Sequence, residues 1–124
     1  MSGESKRILV VDDDVDIVNI IVRMLHGGDY QVEVAYGGEE ALAKVRSQRP
    51  DLVLLDIMMP QLNGMEVLKA IRELDPTIRT IMITAYGDID SYLDAMEWGA
   101  LEYINKPFDG DELLRMIGKV SATA

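Results

Sequence analysis

The chain has 124 residues, 48% of them hydrophobic and 27% charged, which suits a soluble fold with one hydrophobic core and excludes a disordered segment. Its net charge of -10 argues against direct contact with nucleic acid or an anionic membrane surface. Cysteine is absent, which rules out disulfides and thiolate metal sites, and no apolar run approaches a membrane span.

The polar start, Met1 to Lys6, lacks the apolar stretch of a signal peptide, so the cytoplasm is the expected compartment. The first apolar run, Ile8 to Val11, reads as a strand buried on both faces. Ile17, Ile20, Ile21, Met24 and Leu25 then form a helical stripe that ends at Gly27 and Gly28. Residues 31–35 alternate, as a strand with one wet face does at a sheet edge. Ala41, Leu42 and Val45 mark a second helix, and Leu52 to Leu55 a second fully buried strand. Val67, Leu68 and Ile71 mark a third helix that must stop by Asp75-Pro76. Ile81 to Ile83 is the next buried strand, and Ile89, Leu93 and Met96 form a thinner helical stripe ended by Gly99. Residues 101–104 alternate again, and Leu113, Leu114, Ile117 and Val120 complete a fifth helix.

Strand and helix thus alternate five times, which implies a parallel sheet with helices on both faces. Three buried runs and two alternating ones place strands one, three and four inside and two and five at the edges. The flavodoxin-like order 2-1-3-4-5 satisfies this. The whole of residues 1–124 reads as one domain with a core over about 7–120. It is either a stand-alone protein or part of a longer one.

In such sheets ligands bind beyond the carboxyl ends of the strands. There the sequence places Asp12, Asp13 and Asp14 after the first strand, Asp56 at the end of the third, Thr84 at the end of the fourth and Lys106-Pro107 after the fifth. Two carboxylates about 4 Å apart repel by about 4 kcal/mol at an effective dielectric near 20, so the cluster calls for a cation or a proton. Hard oxygens with room for water suit Mg2+, and Mn2+ could substitute. Lys106 adds a positive charge and Thr84 a hydroxyl donor around Asp56, the set that phosphoryl transfer to a carboxylate requires.

The segments ILVVDDD over Ile8–Asp14, LLDIMMP over Leu54–Pro60 with Gly64, ITA over Ile83–Ala85 and YINKPF over Tyr103–Phe108 resemble the receiver domains of two-component response regulators. The resemblance spans roughly Arg7 to Val120 and implies a (βα)5 fold. It implies Mg2+ held by Asp12, Asp13, Asp56 and the backbone carbonyl of Met58, with Asp56 accepting phosphate from a histidine-kinase phosphohistidine. It also implies that Thr84 and Lys106 contact the phosphoryl group, that Tyr103 is a switch aromatic and that the Lys106–Pro107 bond is cis. The face made by the fourth helix, fifth strand and fifth helix would then mediate homodimerisation or docking of an output partner. TAYGDID over Thr84–Asp90 and GALEY over Gly99–Tyr103 are most similar to receivers of sigma-54-dependent activators. By the same resemblance, Met58 and Tyr86 flank the path of a hydrolytic water. Neither is a carboxylate or an amide, so both should shield the phosphoryl group and lengthen its life.

Plainer roles compete for several of these residues. Asp14 reads best as a helix cap. Asp12, Asp14 and Asp16 mimic a calcium loop, but Ile17 and Arg23 stand where it needs Gly and Glu. His26 suits a helix C-terminus, Trp98 reads as packing, and the methionines as core filling. No dinucleotide or Walker-type motif occurs. A phosphatase of the haloacid-dehalogenase type shares the Asp, Thr and Lys but needs an acid two residues after its nucleophile, where this chain has Met58. A flavin carrier or a docking-only domain is the other alternative; the first would be yellow, and the second should lack part of the acidic set.

Overall fold

A computed structural model describes residues 6–57, 63–84, 89–106 and 108–121. Five strands and five helices alternate: β1 (Lys6–Val11), α1 (Val15–His26), β2 (Tyr30–Ala35), α2 (Gly38–Gln48), β3 (Leu52–Asp56), α3 (Gly64–Leu74), β4 (Arg79–Thr84), α4 (Ile89–Glu97), β5 (Glu102–Asn105) and α5 (Gly110–Ser121). The sheet is parallel in the order β2-β1-β3-β4-β5, as the burial pattern of the runs requires.

The interior strands are apolar without alternation because each face of the sheet has its own core. Leu9, Val11, Val53, Leu55 and Met82 point to one side, where they meet Ala41 and Val45 of α2, Val67, Leu68 and Ile71 of α3, and Ala95 of α4. Their neighbours Ile8, Val10, Leu52, Leu54, Ile81 and Ile83 point to the other, onto Val18, Ile21 and Leu25 of α1 and Leu113, Ile117 and Val120 of α5. Each buried Leu, Ile or Val contributes about 1.5–3 kcal/mol relative to remaining exposed.

The helix ends follow local chemistry. Asp14 caps α1 by accepting from the N–H groups of Asp16 and Ile17, as its position suggested. Asn63 caps α3 by accepting from the Glu66 N–H. After α4, Gly99 takes a φ of 98°, and the Ala100 N–H reaches back to the Ala95 carbonyl while the Gly99 N–H reaches Met96. That is a Schellman termination, which favours glycine because a Cβ strains the left-handed region.

Two side chains depart from the sequence reading. Ile20 is 46% exposed, and Val18 occupies the core position on α1 instead. Leu93 is 55% exposed, and α4 is held instead by Ala95 with Met96 half-buried beside it. Trp98, read as packing, is 41% exposed and packs against the Lys69 ammonium, 5.0 Å from its ring centroid. For Ile20 and Leu93 the apolar stripe is wider than the strip of helix that the sheet can cover.

Candidate functional site

The sheet register assembles the acidic cluster. Val11 pairs with Leu55 and Asp56 pairs with Ile83, so β1 and β3 release Asp12 and Asp56 at the same level. Thr84 pairs with Asn105, which puts Lys106 one residue beyond, its N–H donating to the Thr84 carbonyl at 2.7 Å. The Asp12 N–H donates to Ala35 of β2 and the Ile57 N–H to Ile83 of β4, which tie the ends of β1 and β3 to their neighbours.

Carboxylate oxygens of Asp12, Asp13 and Asp56 lie within 4.8 Å of one another. Asp12 is 2% exposed and Asp56 4%, whereas Asp13 is open to solvent. Asp12 is doubly engaged: Oδ1 accepts the Asp14 N–H at 2.9 Å, and Oδ2 accepts the Lys106 ammonium at 2.7 Å. Lys106 stands 3.7 Å from Asp56 Oδ2, so it leans on Asp12 more closely than on Asp56. Burial acts to lower the Lys106 pKa, but the hydrogen bond to Asp12 and the charges of Asp56, Asp12 and Asp14 outweigh it and hold the group above its ordinary value. The donor set, hard oxygens on a buried floor with one wet side, fits a cation that keeps several of its waters.

Thr84 is fully buried at the end of β4, next in line after the partner of Asp56. Tyr103 packs on the α2, α3 and α4 side of the sheet, with its hydroxyl oxygen already out of solvent. Its ring meets Tyr92 of α4 edge-on, with centroids 5.5 Å apart and planes at 79°. Sequence reading missed this contact, because nothing in the α4 pattern distinguishes Tyr92 from a solvated residue. Met58, Tyr86 and Pro107 lie outside the described residues, as do the parts of the metal, lifetime and cis-proline expectations that rest on them.

This arrangement, a carboxylate triad and a lysine at the carboxyl edge of a 2-1-3-4-5 sheet, defines a receiver-type signalling domain. The chain matches the response regulator receiver domain family over residues 8–118 and belongs to that family. Among known proteins, the transcriptional regulatory protein ZraR of Klebsiella oxytoca is 45% identical over 113 residues, covering 91% of this chain and 26% of ZraR. Sporulation initiation phosphotransferase F of Bacillus subtilis is 40% identical over 115 residues and is covered, like this chain, to 93%. A solved CheY-like receiver domain protein from Methanospirillum hungatei superposes with a TM-score of 0.92 at 35% identity, over 95% of this chain and 94% of that one. This chain spans about a quarter of the length of the ZraR proteins it matches. Receiver domains bind Mg2+ at such an acidic cluster and belong to regulators that histidine kinases phosphorylate. Among the described residues, no helix is long and apolar enough to cross a membrane.

Proposed function

We propose that this receiver domain is a phosphorylation switch in which Asp56 accepts a phosphoryl group from the phosphohistidine of a sensor kinase. The single observation that carries the reading is the gathering of Asp12, Asp13 and Asp56 within 4.8 Å with Lys106 beside them. A carboxylate oxygen of Asp56 attacks phosphorus, the phosphorus–nitrogen bond breaks, and the imidazole nitrogen leaves with the electron pair. Asp12, Asp13, Asp56 and the Met58 carbonyl would hold Mg2+, which when bound neutralises the phosphoryl oxygens. Lys106 is the protein's own charge for the same oxygens, and Thr84 would donate a hydrogen bond to one of them. Met58 stands where a turnover phosphatase would need an acid, which favours a lasting modification over repeated turnover.

The output would run through α4, β5 and α5. Tyr92 and Leu93 of α4 are exposed apolar side chains on that face, fit for contact with a second copy or an output partner. Phosphorylation adds about -1.5 to -2 charge at Asp56. Drawing Thr84 towards it would reposition Tyr103, and with it the edge-on contact to Tyr92. Similarity to ZraR supports an output portion beyond a receiver of this kind, in keeping with the resemblance to sigma-54-dependent activators.

Incubation with acetyl phosphate and Mg2+ should raise the intact mass by one phosphoryl group, and Asp56→Asn should abolish the gain. A gain that persists in Asp56→Asn would assign the chemistry to another residue. Beryllofluoride should shift amide resonances across 92–105; unchanged spectra would remove the proposed output face.

A further inference from the structure

Gly64, the first residue of α3, is buried. A Cβ built there would stand 2.2 Å from the Asp56 carbonyl oxygen, 2.6 Å from the Ile57 Cα and 2.9 Å from the Asp56 carbonyl carbon. All three are backbone atoms, so no rotamer change relieves the contact. At the other crowded glycines the nearest atoms belong to side chains that can swing aside: Tyr30 at Gly28, Arg72 at Gly99 and Met24 at Gly110. Space, rather than a left-handed backbone, is what position 64 demands, since the positive φ among these glycines is at Gly99.

The close approach is also bonded. The Gly64 N–H donates to the Ile57 carbonyl at 2.8 Å, and the Ile57 N–H donates to the Ile83 carbonyl of β4 at 3.2 Å. The start of α3 is thereby fastened to the peptide that follows Asp56, and that peptide to the next strand. Asn63 fixes the helix start from the other side by capping Glu66.

We propose that Gly64 is a positioning residue for the acceptor: its missing side chain lets α3 rest on the Asp56 backbone and so holds the Asp56 carboxylate in register with Asp12, Asp13 and Lys106. This rests on the reading of Asp56 as phosphoacceptor. In Gly64→Ala, helix and strand must part by close to an ångström. A displacement of that size at reacting groups can lower a rate about a hundred-fold. Elsewhere in a helix the same substitution is stabilising, so the effect at position 64 is opposite in sign to propensity.

The test compares Gly64→Ala with Val67→Ala, which removes a buried side chain one turn along α3 and leaves the Asp56 contact intact. Mg2+ affinity is read by titration calorimetry, phosphorylation by acetyl phosphate, and stability by urea unfolding. Gly64→Ala should weaken Mg2+ about ten-fold and slow phosphorylation about a hundred-fold. Val67→Ala, with an equal or larger loss of stability, should keep both within about two-fold. A folded Gly64→Ala with parental affinity and rate overturns the proposal, and so does a Val67→Ala that loses as much as Gly64→Ala. Should Gly64→Ala fail to fold, the parent chain carries the test: the Gly64 and Ile57 amides should shift together as Mg2+ saturates, and unshifted amides overturn it. A parent that takes up no phosphate would overturn the acceptor assignment itself, a result distinct from equal behaviour of parent and variant.

Discussion

Replacing Lys106 with Met should destabilise the metal-free chain and at the same time tighten Mg2+. In the parent, the ammonium lies 2.7 Å from Asp12 and 3.7 Å from Asp56, with its side chain only 14% exposed. At an effective dielectric near 20 these contacts amount to about 6 and about 4.5 kcal/mol of Coulomb attraction, before desolvation is subtracted. They offset carboxylate repulsion of about 3.5 kcal/mol per pair at the limiting separation in the cluster. Removing one partner of a buried pair commonly costs about 3–5 kcal/mol, and the open side at Asp13 argues for the lower end, about 3. Mg2+ held by Asp12 would compete with Lys106 for that carboxylate in the parent, so without the lysine its affinity should rise about ten-fold, equivalent to about 1.4 kcal/mol. Urea unfolding of parent and Lys106→Met, with and without Mg2+, measures both effects. A metal-free midpoint that does not move, or a Mg2+ increment no larger in the variant, would refute the competition. A cycle with Asp12→Asn would isolate the pairwise part.

Asp14→Ala should cost about 1 kcal/mol through loss of the α1 cap, while Mg2+ affinity stays parental; calorimetry showing lost metal would make Asp14 a ligand instead. Asp75 bonds Thr77 through side chain and backbone and also takes the Arg49 guanidinium, which together hold its pKa down at about 2 against an ordinary 3.8. A depressed carboxyl stabilises fully above its unfolded pKa and loses that contribution as pH falls towards the folded one. The parent should therefore lose more stability between pH 4 and pH 2 than Asp75→Asn, and parallel urea midpoints over that window would contradict the assignment. Lys69→Ala should change the emission of Trp98, the one tryptophan in the chain, at a stability cost of about 0.5–1 kcal/mol. An unchanged spectrum would mean that the ammonium does not dwell over the ring in solution.

Much of the molecule is set by local and one-dimensional chemistry. Ile8–Val11, Leu52–Leu55 and Ile81–Ile83 carry no alternation, and a run that is apolar on both faces has only the middle of a covered sheet to occupy. With edges assigned to the alternating strands, parallel order brings the residues after β1, β3, β4 and β5 to one rim, and so the acidic cluster was legible before any coordinates. Asp14 was legible as a cap for the same reason: its bonds reach only two and three residues ahead.

What the tertiary structure alone decided lies between elements distant in sequence. Whether Ile20 or Val18, and Leu93 or Ala95, faces inward depends on how each helix rotates against the sheet, and a stripe spanning more than the contact width is compatible with several rotations. Lys106 could have reached either carboxylate, and strand order alone, which places β3 nearer to β5 than β1, does not account for its closer hold on Asp12. Tyr92 meets Tyr103, and Arg49 bridges to Asp75 and Thr77, through packing that no periodicity encodes. Gly64 is the sharpest case. In sequence it is a helix-weakening residue at the start of a helix; only the backbone of Asp56 standing where its Cβ would be turns that weakness into a requirement.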